Sequence, residues 1–81
     1  MSLKEDEIEK KVFLLKLLLK EQDESMEDVI NALVNTGMFE KEDALKHLKE
    51  LESRGYIAND ALTMIGQVEA QKAKEEFTLA N

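Results

Sequence analysis

Eighty-one residues, 43% of them apolar and 36% charged, make one domain with a single modest core and no second lobe to form an interdomain cleft. The absence of cysteine excludes disulfides and thiolate metal sites and fits a reducing compartment, while three glycines and no proline argue against a linker or a disordered chain. A formal net charge of -7 repels polyphosphate at long range, so nucleic-acid binding would require a concentrated basic patch.

Residues 4–21 place Ile8, Val12, Leu15 and Leu19 at helical spacing, with Phe13, Leu14, Leu17 and Leu18 filling the other sides. At about 100° per residue, only the sector of Lys16 is clearly polar in residues 12–19. One domain face cannot cover so much apolar surface. This predicts a first helix that is sandwiched between two layers or lies in a subunit interface. The run is too short to span a bilayer, and acidic residues precede it where a signal peptide carries basic ones, so a cytoplasmic protein is expected.

Ser25 followed by Asp28 predicts a helix start, with the Ser oxygen capping backbone donors and the carboxylate favourable at the positive end. The second helix runs to about Thr36 with Met26, Val29, Ile30, Leu33 and Val34 inward, and Gly37 is placed to end it in a left-handed cap. Met38 and Phe39 are expected to plug the core. A third helix over residues 40–54 carries Ala44, Leu45, Leu48 and Leu51 as its apolar stripe, and Gly55 closes it. Tyr56, Ile57 and Ala58, then Ala61, Leu62 and Thr63, are two β-compatible runs joined by Asn59 and Asp60, which tolerate the positive φ of a two-residue hairpin. A last helix over residues 64–79, capped by Thr63, aligns Ala70, Ala73, Phe77 and Ala80 on one side, with Leu79 as a further anchor. The expected class is mostly α with a small β-hairpin, in one domain spanning residues 1–81 whose core covers about residues 5–66.

The phrase Leu51, Glu52, Ser53, Arg54, Gly55, Tyr56, Ile57, at the end of a leucine-rich helix beginning near Ala44, resembles the recognition helix and first wing strand of winged helix-turn-helix proteins. Leu62, Thr63, Met64, Ile65 and Gly66, followed by Gln67, look like that family's second wing strand passing into its C-terminal helix. The resemblance covers about residues 8–76 and implies the order helix-helix-helix-hairpin-helix; the alternative is a helical bundle in which residues 56–63 form only a loop. It also implies a possible DNA-contacting set on the third helix, Lys41, Lys46, His47, Lys49 and Arg54. Two departures weaken that implication. The early residues of the helix are Glu40, Lys41, Glu42 and Asp43, and the wing is reduced to Asn59 and Asp60.

Charge spacing weakens it further. Steps of four set Glu42 beside Lys46, Lys46 beside Glu50 and Glu50 beside Arg54, so these charges are expected to satisfy one another along a solvated face. Lys10, Lys11, Lys16 and Lys20 are spread around the first helix and read as solvated stems, while Lys72 and Lys74 are offset by Glu69, Glu75 and Glu76. His47 is the only histidine, and with Asp43 one turn earlier it reads as a surface residue in a helical pair. Gly37, Gly55 and Gly66 read as isolated chain-reversal positions, with no phosphate-cradling loop. Carboxylates at Glu5, Asp6, Glu7 and Glu9, and at Asp23, Glu24 and Glu27, offer hard-metal donors but lack the acid-and-glycine alternation that Ca²⁺ favours. Neither catalysis nor a cofactor is expected.

Two functional classes remain. The first is a non-catalytic, self-associating protein-interaction module with Phe13, Leu14, Leu17, Leu18, Ala70, Ala73 and Phe77 as homodimer or partner contacts. These residues are accounted for equally well if the last helix folds back onto the first within one chain. The second class is a DNA-binding regulator using the third helix.

Overall fold

Two helices, one at each end of the fold, make its most extensive contact. In this computed structural model, which describes residues 3–79 and the side chains from Glu7 to Phe77, the elements run α1 (Leu3–Leu18), α2 (Met26–Asn35), α3 (Lys41–Ser53), β1 (Ile57–Ala58), β2 (Ala61–Leu62) and α4 (Met64–Leu79). The side chains of Glu5, Asp6 and Leu79, and all of Ala80, lie outside the described residues. The protein is therefore mostly helical with one small antiparallel sheet. Its radius of gyration of 11.8 Å is that of a single domain of this length. Among the described residues no helix is long and apolar enough to cross a membrane.

Local chemistry sets the boundaries. After α1, the turn is tied by Lys20, whose Nζ donates to the Glu21 and Glu24 carbonyls, and by the Glu21 N–H, which donates to Glu24 Oε1. Ser25 and Asp28 form a reciprocal capping box: the Asp28 N–H donates to Ser25 Oγ at 3.1 Å, and the Ser25 N–H donates to Asp28 Oδ2 at 3.0 Å. α2 ends as Gly37 turns to φ 79° and its N–H reaches the Val34 carbonyl, while the Thr36 hydroxyl takes the Leu33 carbonyl at 2.6 Å. α3 closes in a Schellman arrangement. Gly55, at φ 84°, donates to the Glu52 carbonyl and Tyr56 donates to the Leu51 carbonyl.

The hairpin forms at the expected place and is shorter than expected, with two residues per strand in place of three. Ile57 pairs with Leu62 and Ala58 with Ala61, across Asn59 (φ 53°) and Asp60 (φ 61°), the two consecutive left-handed residues that a primed two-residue turn requires. Thr63 then links hairpin to helix. Its N–H donates to the Tyr56 carbonyl, its hydroxyl donates to the Gly55 carbonyl at 2.6 Å, and the same oxygen accepts the Gly66 N–H to cap α4.

The core gathers Phe13, Leu14 and Leu17 of α1, Met26, Val29, Ile30 and Leu33 of α2, Ala44 and Leu51 of α3, Phe39, Ile57 and Ala70. Three expectations change here. The inward stripe of α3 is Ala44, His47 and Leu51 with Leu48 half-buried, and Leu45 is exposed, because it lies about 100° around the helix from Ala44. Of the two residues expected to plug the turn, Phe39 is buried and Met38 is exposed. Gly66 is not a chain-reversal residue but sits inside the first turns of α4, where a Cβ would lie 2.0 Å from the Tyr56 carbonyl oxygen.

That close approach yields a comparison between glycines. Gly66→Ala is expected to lower stability by about 3 kcal/mol, since backbone would have to move. Gly37→Ala, where an added Cβ meets nothing within 4 Å, should lose only about 1 kcal/mol through its left-handed backbone. Chemical denaturation of the two variants checks the difference.

Candidate interaction surfaces

α4 lies back on α1 within the chain, and this decides what its small residues do. Phe13, Leu14, Leu17, Ala70 and Ala73 are buried in the single chain, and Leu18 and Phe77 are half-buried. Of the seven residues expected at a self-association or partner surface, five are therefore covered within the single chain, and the two alanines on α4 let the helix backbones come close.

Two polar ties join α1 to α3, and neither was expected. Lys10, with only 8% of its surface exposed, reaches Glu50 Oε1 at 3.2 Å, and Arg54 holds the other oxygen of that carboxylate at 3.0 Å. His47, 7% exposed, meets Glu9 Oε1 through Nε2 at 2.7 Å and stands edge-on to Phe39, with ring centroids 5.7 Å apart. Lys10 is thus not a solvated stem, and His47 is neither a surface residue paired with Asp43 nor available to a groove of DNA. The signal was present in the spacing. Lys10 precedes Phe13, Leu14 and Leu17 by three, four and seven residues, and His47 lies between Ala44 and Leu51 at steps of three and four, so both occupy core-facing positions.

The remaining DNA candidates fan out. Lys41, Lys46, Lys49 and Arg54 are exposed, but on a helix of about 100° per residue Lys41 and Arg54 fall on opposite flanks of the Lys46–Lys49 sector. Of the three expected pairs along α3, the Glu50–Arg54 bridge forms. No ion pair engages Lys41, Lys46 or Lys49 among the described residues, in contrast to the self-satisfied face expected for Lys46.

Where α1, α3 and α4 converge, a cavity of about 110 Å³ is lined by Lys10, Lys11, Arg54 and Lys72 together with Glu7, Glu69 and Glu76. Its cations are already engaged, Lys11 with Glu76 at 2.6 Å and Lys72 with Glu69 at 3.5 Å, beside the Lys10–Glu50–Arg54 cluster. The hydrogen bond from Lys11 to Glu76 raises the Lys11 pKa, and that from Lys10 to Glu50 lowers the Glu50 pKa. Charges so paired close a structural seam and leave little for a ligand. Among the described residues, no group of three His, Cys, Asp or Glu side chains converges in a manner that would hold a metal ion.

What the surface does offer is apolar. On α4, Met64 (84% exposed), Ile65 and Val68 form a patch at steps of one and three, while Ile8 of α1 and Leu19, just past its end, are exposed at either end of a stripe that includes half-buried Val12 and Leu15. The neighbouring exposed residues of the α4 patch mark an interaction site more reliably than isolated leucines do. No protein-family model, curated protein or solved structure matches the chain, so these surfaces are characterised by their own chemistry.

The polar ties carry two expected outcomes. Because the Glu50 pKa is lowered in the folded chain, the pair with Lys10 adds stability above the ordinary carboxylate range, and that stability is lost as pH falls through the folded value. Lys10→Met, which keeps the stem and removes the charge, should flatten the acid limb of a stability–pH profile followed by circular dichroism. A double-mutant cycle over Glu9→Gln and His47→Gln should return a coupling of about 1 kcal/mol, against none for two surface groups that do not meet.

Proposed function

We propose that this chain is a non-catalytic protein-interaction module on a winged helix-turn-helix scaffold, self-associating, with an acidic surface that suits a basic-rimmed protein partner. The scaffold reading is supported by the order of three helices, a hairpin closed by a two-residue turn, and a fourth helix capped from the hairpin's end. The observation that carries the function is the Met64, Ile65 and Val68 patch. It lies on α4 with more than half of each residue's surface exposed, and it belongs to a protein whose net charge of -7 favours cationic partners.

A second reading, a DNA-binding regulator, is favoured by one observation: Lys46 and Lys49 project from α3 without ion-pair partners among the described residues. Two cations beside Glu42 and Glu50 make a small electrostatic footprint, and the hairpin tip of Asn59 and Asp60 contributes no positive charge. Protein contact therefore stands first.

The two readings separate in one pair of measurements. Proximity labelling of the full chain in its native cell should mark a reproducible set of proteins that disappears with the double variant Met64→Glu, Val68→Glu, while a random duplex pool at low ionic strength should pass over the immobilised protein unretained. Retention that weakens steeply with salt and is abolished by Lys46→Ala with Lys49→Ala would replace the first reading with the second.

A further inference from the structure

The outer stripe of α1 has a spacing that the fold of a single chain uses only in part: Val12 and Leu15 are half-buried, Val12 against the core, while Ile8 and Leu19 are exposed. Ile8, Val12, Leu15 and Leu19 follow one another at steps of four, three and four, which is the heptad seam of two helices packed side by side. At about 100° per residue all four fall within about 60° of one another, on the side of α1 away from Phe13, Leu14 and Leu17. The Leu19 N–H donates to the Leu15 carbonyl at 3.0 Å, so the helical geometry continues through the end of the stripe. Leu19 is 59% exposed and Ile8 44%, whereas a seam residue in a finished pair of helices is covered.

The flanking charges choose the occupant and its direction. Resting on the reading of the chain as a self-associating interaction module, we propose that this stripe is an isologous homodimer seam in which α1 of one protomer packs antiparallel against α1 of a second. In that arrangement Val12 faces Leu15 of the second copy and Ile8 faces Leu19, so the four residues cover one another completely about a two-fold axis. Glu9 then lies beside Lys16 of the second copy, and the symmetry repeats the opposite-charge contact. Glu9 already gives Oε1 to His47 and its side chain is 20% exposed, so a second partner is left its other carboxylate oxygen, and no ion pair engages Lys16 among the described residues. A parallel pairing would instead place Lys16 beside Lys11, which Glu76 of its own chain already holds, and so would offer Lys16 no carboxylate on either side. Because each α1 is already ordered by its own domain, the short seam does not have to offset the cost of forming a helix.

The chain has no cysteine, so engineered thiols report direction directly. Ile8→Cys and Leu19→Cys alter exposed positions and leave the core and the α4 patch untouched. When the two full-length variants are mixed in a glutathione redox buffer, the antiparallel seam predicts a mixed disulfide between them in preference to either symmetric one. Sedimentation equilibrium should show the unmodified chain dimerising at high concentration, and Lys16→Glu, which sets two carboxylates side by side twice, should weaken that dimer about tenfold. A chain that stays monomeric, symmetric disulfides in preference to the mixed one, or a Lys16→Glu dimer of unchanged strength each overturns the seam. The partner-binding part of the reading has its own test in the Met64 and Val68 variant, so it can stand when the seam fails and fail when the seam stands; a monomeric chain removes the seam and self-association together.

Discussion

The close approach of α4 to α1 is the constraint on which the rest of the molecule depends. Gly66, Ala70 and Ala73 are the positions where α4 carries almost no side chain, and they are where it meets the hairpin and the core. With larger residues there, α4 would stand off, and the inner face of α1 would lose its outer cover. Because the helix comes in close, Phe13, Leu14 and Leu17 are buried between α1 and the other helices. Lys11 and Glu76 fasten the far end of the same seam.

The polar ties between α1 and α3 serve a different end. Two ionisable residues, Lys10 and His47, occupy positions that periodicity reserves for core, and each meets a glutamate from the other helix. Apolar side chains at these positions would pack in several ways. A cation that must find Glu50 and an imidazole that must find Glu9 fix the rotation of α1 against α3, which is how buried polar pairs select one packing among near-equals. The selection also determines which stripe of α1 faces outward.

Element order, the capping box at Ser25 and Asp28, the glycine-terminated helices and the Asn59–Asp60 turn were legible because each depends on residues adjacent in sequence. The excess apolar surface of α1 was legible too, but its division was not. Composition alone could not say which half the chain covers itself. The position of α4 decides that, and its packing rests on contacts more than fifty residues apart in sequence, such as Lys11 with Glu76. His47 and Lys10 were misread for a related reason. Both are ionisable residue types at core-facing positions, and the glutamates that make their burial tolerable lie on another helix. Gly66 was misread because its neighbour, the Tyr56 carbonyl, arrives only when the hairpin folds.

Pairing the two ends of the fold has a consequence for its birth on the ribosome. Until α4 has been synthesised and has left the exit tunnel, α1, α2, α3 and the hairpin have no partner for one side of α1, and an apolar helix waits in water. Closing that contact joins segments at opposite ends of the chain, a large loop whose entropy must be overcome in a single late step. A nascent chain with this topology therefore keeps one side of α1 exposed until α4 docks, and the arrival of that helix ends the exposure.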